Sequence, residues 1–251
     1  MTDTAARQID RRATRAALDH LFGAQLLFGG AFWLVFALVM VTVPVLVSRS
    51  GGQMDTGVLH ATGYAARWFA FALGTAGVAA VLTIHLAAGG TRRALHRAAV
   101  LSALLVVVLY GALFAVAQLG ERALWGGLGW TWVRPGGIPG DGGTGIVLGA
   151  VGEGLACATY ALVGSAVAVA YHRLRALRGT LALLPSLVVL ALADMVTGTG
   201  TGGETLGNLV ATGADTAPAL VTGLAGGTAV AVLAAAWLHL FLRRAQLRPR
   251  T

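Results

Sequence analysis

The chain has 251 residues, of which 57% are hydrophobic and only 11% carry a charge. A soluble domain contains about 25% charged residues, so this composition excludes an ordinary water-soluble globular protein. The net charge of +8 does not indicate a nucleic-acid-binding surface. The basic residues lie at the ends of apolar segments, where they are typical topology signals of membrane proteins.

All 18 basic residues are arginine. Without lysine the chain cannot form the phosphate loop of ATPases, whose lysine holds the β- and γ-phosphates of the nucleotide. The single cysteine, Cys157, cannot form an intramolecular disulfide and is by itself no metal site. We therefore expect this chain to bind no cofactor and no metal.

Residues 1–20 form a polar, arginine-rich segment ahead of the first apolar stretch. Its apolar residues recur at helical spacing: Ile9, Ala13, Ala16, Ala17 and, just after it, Leu21. The arginines lie mostly on the other faces of the predicted helix. This pattern favours an amphipathic helix on the anionic inner surface of a membrane, with a solvated basic tail as the alternative.

Six apolar stretches follow, each long enough to cross about 30 Å of hydrocarbon. The predicted spans are residues 21–47, 64–88, 98–119, 144–170, 180–197 and 217–242. A loop rich in Gly and Trp is predicted over residues 120–143, at the headgroup level that tryptophan prefers. Between the fifth and sixth spans, residues 204–211 are predicted as a short, re-entrant-like helix within a polar stretch.

Fourteen of the 18 arginines lie in the N-terminal segment, the loops at 90–97 and 171–179, and the C-terminal tail. This asymmetry places both termini and these loops in the cytoplasm. The predicted fold class is all-α, a polytopic membrane protein of about six transmembrane helices with an N-terminal amphipathic interfacial helix. Its predicted organisation is the segment 1–20, one transmembrane domain over 21–242 and a basic cytoplasmic tail over 243–251.

Two acidic residues lie inside apolar stretches, Glu153 in the fourth span and Asp194 in the fifth. A carboxylate within a bilayer usually faces a partner or a water-filled cavity. Both residues fall in the outer half of the membrane, where they could share a cavity. They are therefore candidate residues of a translocation pathway. The alternative is that each is neutral, or pairs with Arg67 or Arg134.

Small residues crowd the fourth and sixth spans. Gly145 and Gly149 form one G-x-x-x-G pair, and Gly223 and Gly227 repeat its spacing. Such pairs allow helices to approach closely. They predict helix packing, either within the chain or with a second copy.

Catalytic interpretations find little support in the sequence. A rhomboid-like intramembrane protease has a glycine two residues before its nucleophilic serine, whereas Val163 precedes Ser165 at that distance. His239 lies at the inner end of its span, far from an outer active site. We therefore expect Ser165 to pack between helices and the chain not to be catalytic by itself.

The loop after the second span reads Gly-Gly-Thr-Arg-Arg over residues 89–93. With this segment, six spans and a polar stretch before the last span, the chain resembles the permease subunits of bacterial ABC transporters of the six-span exporter type. Those permeases often carry Gly-x-Thr-Arg-Arg at this place. The resemblance implies an ATPase-coupling loop made by Thr91, Arg92, Arg93 and Arg97.

The same resemblance implies the partners and the location of the chain. A separate ATPase subunit would hold ATP and Mg²⁺ on the cytoplasmic side, and a second permease copy or paralogue would complete a dimer in the bacterial plasma membrane. The substrate is expected to be hydrophobic or amphipathic. The alternative function is a non-transporting membrane anchor, immunity or sensor-type subunit that acts by binding. We expect no nucleic-acid partner for either function.

Overall fold

The computed structural model describes residues 3–132, 143–174, 176–197 and 217–243. Of the residues in these ranges 90% are helical, and none of them lies in a strand. Its helices are α1 (Asp3–Ala24), a π-helical turn (Gln25–Gly29), α2 (Gly30–Arg49), α3 (Val58–Ala87), α4 (Arg92–Gly127), α5 (Gly143–Arg173), α6 (Ala176–Leu181), α7 (Leu183–Thr197) and α8 (Ala217–Arg243).

Six helical segments are long and apolar enough to cross a membrane. This confirms the predicted all-α, polytopic membrane fold. The predicted helix over residues 204–211 and the tail beyond Arg243 lie outside the described residues. We call the end of the bundle that carries Asp10, the α3–α4 turn and Arg243 the basic end, and the opposite end, which carries Trp125, the tryptophan end.

The predicted N-terminal helix is present, and it continues into the first span without a break. α1 passes through the π-helical turn into α2. At this turn Tyr110 of α4 donates a hydrogen bond from Oη to Oε1 of Gln25 at 3.1 Å, and its ring lies against Gly29. α1 itself packs along α4, and its placement on a membrane surface stays a prediction.

α4 is longer than the hydropathy pattern predicts, so the prediction of a single loop over 120–143 was wrong for its first part. The predicted span ends at residue 119, just before the polar pair Glu121-Arg122, but the helix continues to Gly127. The reason is that Glu121, fully buried, finds partners inside the protein. Its carboxylate accepts hydrogen bonds from the backbone N–H of Leu59 at 3.0 Å and from Nε1 of Trp132 at 3.2 Å.

The central element of the bundle is α5. In its most apolar stretch 78% of the residues are buried inside the protein, against 39% or less in every other span. Glycines let its neighbours approach to backbone contact. A Cβ at Gly74 of α3 would overlap the Ala161 carbonyl of α5, and a Cβ at Gly164 of α5 would overlap the Phe71 carbonyl of α3.

Candidate functional site

Arg67 of α3 joins Glu153 of α5 and Asp194 of α7 in a buried ionic cluster. Its Nε and Nη2 donate to the two carboxylate oxygens of Glu153 at 2.9 and 2.8 Å. Its Nη1 donates to Oδ1 of Asp194 at 3.2 Å. The side chains of Arg67 and Glu153 are 4% and 1% exposed, and that of Asp194 is 14% exposed. One guanidinium thus holds three helices together.

A second layer of side chains fixes the two carboxylates. Tyr160 donates from Oη to Oδ2 of Asp194 at 3.0 Å, and the Tyr160 ring packs edge-on against Trp68. The buried thiol of Cys157 lies 3.8 Å from Oε1 of Glu153. Each carboxylate oxygen of the cluster therefore has a donor.

The functions open to this cluster depend on its depth in the bundle and on its net charge. Glu153 lies about 15 Å along α5 from its first residue and about 30 Å from its last, so the cluster is nearer the tryptophan end. With both acids ionised, the cluster carries one negative charge in excess. Such a group can hold helices in register or take up one further positive charge. A role of Glu153 and Asp194 in a translocation pathway stays a prediction.

The turn between α3 and α4 forms the second candidate site. Gly89 has a φ of 82°, a left-handed conformation that ends α3, and Thr91 caps α4 by accepting from the Ala94 N–H at 2.9 Å. Asp10 of α1 accepts from Thr91 Oγ1 at 2.7 Å and from Arg97 Nη1 at 2.8 Å. The turn is thereby fixed to α1.

Two further contacts fix this turn to other helices. His85 of α3 lies with Nε2 3.1 Å from the Thr91 carbonyl oxygen, and Arg92 donates from Nη1 to the Arg243 carbonyl at the end of α8 at 3.3 Å. Arg93 is exposed. We name residues 89–97 the basic turn. Arg92 and Arg93 form its exposed tip, and hydrogen bonds of Thr91, Arg92 and Arg97 connect it to three other helices.

The predicted packing residues lie as follows. Gly145 and Gly149 are buried in α5, and Gly227 of α8 is buried against Leu155 and Thr197. Gly223 lies in α8, but its surroundings are outside the described part of the chain. Ser165 donates to the Ala161 carbonyl at 2.8 Å and to the Gly74 carbonyl at 3.3 Å, as a residue packed between α5 and α3.

The sequence indicated pairing of the two acids with Arg67 or Arg134 only as the alternative to a translocation pathway, and the structure shows Arg67 bonded to both acids. The predicted second span begins at residue 64, close to Arg67, whereas α3 begins nine residues before Arg67, at Val58. No family model, no curated protein and no solved structure matches this chain. The buried cluster and the basic turn therefore carry the functional inference.

Proposed function

We propose that the chain is the transmembrane permease subunit of an ATP-driven exporter of the ABC type. It would lie in a bacterial plasma membrane with its basic end and both termini in the cytoplasm, since most arginines lie toward that side. The observation that carries this proposal is the basic turn, which has an exposed tip and a base bonded to several membrane helices.

Force applied to the tip would reach four helices. A partner that binds Arg92 and Arg93 acts on the first turn of α4. The bonds from Thr91 and Arg97 to Asp10 pass that displacement to α1, while Arg92 and His85 connect the turn to α8 and α3. A rigid connection of this kind suits a motor that closes beneath the membrane, because the energy of closure reaches the helices without an intervening flexible loop.

In this proposal the motor is a separate ATPase subunit, which supplies the bound ATP and Mg²⁺, because these 251 residues contain no lysine and therefore no phosphate loop. The pathway would run between two permease copies or paralogues, since α5, in the middle of one copy, is enclosed by its own neighbours. The substrate would be hydrophobic or amphipathic, in keeping with the mainly apolar exposed side chains of the spans.

The proposal predicts that Arg93→Glu abolishes coupling without unfolding the protein. Arg93 is exposed, so the substitution should leave the packing of the chain intact. The proposed partner surface would be acidic where it meets Arg93, and a glutamate placed there would cost several kcal/mol of binding through like-charge repulsion. We expect the ATPase activity stimulated by the chain to fall by about tenfold or more in proteoliposomes holding the chain and its co-purified ATPase. Arg178→Glu, an exposed arginine of another loop at the basic end, is the matched control and should leave stimulation unchanged.

Two outcomes would count against this function. If the tagged chain, purified from native membranes, brings down no nucleotide-binding subunit, the transporter proposal is overturned. If it brings down a partner whose ATP hydrolysis does not respond to the chain, the second candidate holds, a membrane anchor, immunity or sensor-type subunit that acts by binding. The fully paired Arg67 cluster favours that candidate, because a locked ionic core suits a scaffold.

A further inference from the structure

A groove of about 540 Å³ lies between α1 and α4 at the basic end of the bundle. Its polar lining lies at the end nearer the basic turn, and its apolar lining lies one to two turns farther along the two helices. The lining residues are Arg11, Thr14, Arg15 and Leu18 of α1, and His96, Arg97, Val100 and Leu101 of α4.

The charged half of the groove has an excess of positive charge. Arg11 and Arg15 are exposed and lie one helical turn apart, and no carboxylate among the described side chains forms a salt bridge with either. Arg97 pairs with Asp10 at 2.8 Å, but its side chain is still 47% exposed. The three arginines Arg11, Arg15 and Arg97 thus have a single carboxylate, that of Asp10, as counter-charge. Guanidinium groups bind phosphate oxygens with good geometry, so the groove is complementary to a phosphate group.

The apolar half of the groove continues as an exposed stripe on α4. Leu101 is 43% exposed, and Leu104, Leu105 and Val108 farther along the helix are exposed by 58%, 40% and 70%. These residues recur at helical spacing and lead away from the arginines toward the middle of the membrane span. The polarity of the surface therefore changes in the same order as that of a phospholipid, from an anionic head to an apolar chain.

We propose that this groove is a binding site for an anionic phospholipid. The headgroup phosphate lies between Arg11, Arg15 and Arg97, and one acyl chain follows Leu101 along the exposed stripe of α4. Basic pockets between transmembrane helices are suited to such headgroups. Since the occupant joins α1 to α4, it stabilises the packing of the N-terminal helix. The site requires no ATPase and goes beyond the proposed function.

Native mass spectrometry of the full-length chain in detergent tests the proposal, with dioleoyl phosphatidylglycerol and dioleoyl phosphatidylcholine as probes. We expect tighter binding of phosphatidylglycerol, and a loss of that affinity by about 30-fold in the variant Arg11→Gln with Arg15→Gln, which corresponds to about 2 kcal/mol. The matched control is Arg173→Gln with Arg178→Gln, which removes two positive charges outside the groove. It should keep the wild-type preference.

Three results would overturn the lipid site. The first is equal affinity of the wild-type chain for the two lipids, a comparison that does not depend on how any variant folds. The second is an equal loss of affinity in the control variant, which would show that only the net charge matters. The third is full displacement of phosphatidylglycerol by soluble glycerol phosphate, which would identify a phosphate site that needs no acyl chain.

Discussion

Replacing Arg67 by methionine should destabilise the folded protein by about 3–5 kcal/mol, because the substitution leaves the buried carboxylate of Glu153 and the largely buried one of Asp194 without their counter-charge. Methionine has a similar length, so the lost volume is small and the effect reports on charge. The free energy of unfolding can be measured by titrating the purified protein from a mild detergent into sodium dodecyl sulfate. Adding Glu153→Met to Arg67→Met should recover part of the loss, since it removes one of the unpaired acids.

Labelling of Cys157, the only cysteine of the chain, reports the effect of Arg67→Met within the ionic cluster. Cys157 is fully buried beside Glu153, so a maleimide reagent should label it slowly in the wild-type protein and faster in Arg67→Met. Arg49→Met, at an exposed arginine in the last turn of α2, is the control and should change stability by no more than about 0.5 kcal/mol. Unchanged stability together with a protected Cys157 in Arg67→Met would show that the cluster is not an ionic one.

A single methyl group at Gly74 should cost about 1–3 kcal/mol of stability, because Gly74→Ala forces α3 away from α5. The added Cβ would overlap the backbone carbonyl of Ala161, and a backbone atom cannot turn aside as a flexible side chain can. Gly164→Ala should act in the same way through Phe71. The two substitutions affect one interface, so their effects should not add when combined. The same detergent titration measures both.

Gly30→Ala is the matched control for this prediction. Gly30 is helical, and a Cβ built there meets nothing within 4 Å. Alanine favours a helix over glycine by about 1 kcal/mol, so this variant should be as stable as the wild-type protein or more stable. If Gly74→Ala is equally well tolerated, α3 and α5 do not approach as closely as described.

The fold was predictable from the sequence because its signals are local. Spans of apolar residues and their flanking arginines predicted six helices, and Thr91, a residue type favoured at helix N-caps, lies at the N-cap of α4. Helix ends were less predictable where a polar residue finds a partner far away in the chain. Glu121 is the example, because its carboxylate bonds to Leu59, which hydropathy along α4 cannot reveal.

The candidate sites were predictable only in part. The intramembrane position of Glu153 and Asp194 marked both as unusual, and Arg67 was one of two arginines considered as their partner. The sequence alone could not decide between Arg67 and Arg134, because pairing across helices leaves no spacing pattern in one sequence. The closest glycine contacts were missed for the same reason. Gly74 and Gly164 face carbonyls on other helices, whereas the predicted pairs were chosen by their spacing along one helix.

The π-helical turn sets the angular phase of the longest helix. The buried positions through this region recur at every fourth residue: Ala17, Leu21, Gln25, Gly29 and Trp33. In a regular α-helix each such step overshoots a full turn by about 40°, so a face with this spacing would wind away from α4. A π-helical turn contains about one residue more than an α-helical turn, so it returns the buried face to the side of α4. Deleting one residue of the π-helical turn would rotate α1 by about 100° relative to α2 and move Asp10 away from the basic turn. The alignment of the two halves of this helix therefore depends on the number of residues between them as much as on their identity.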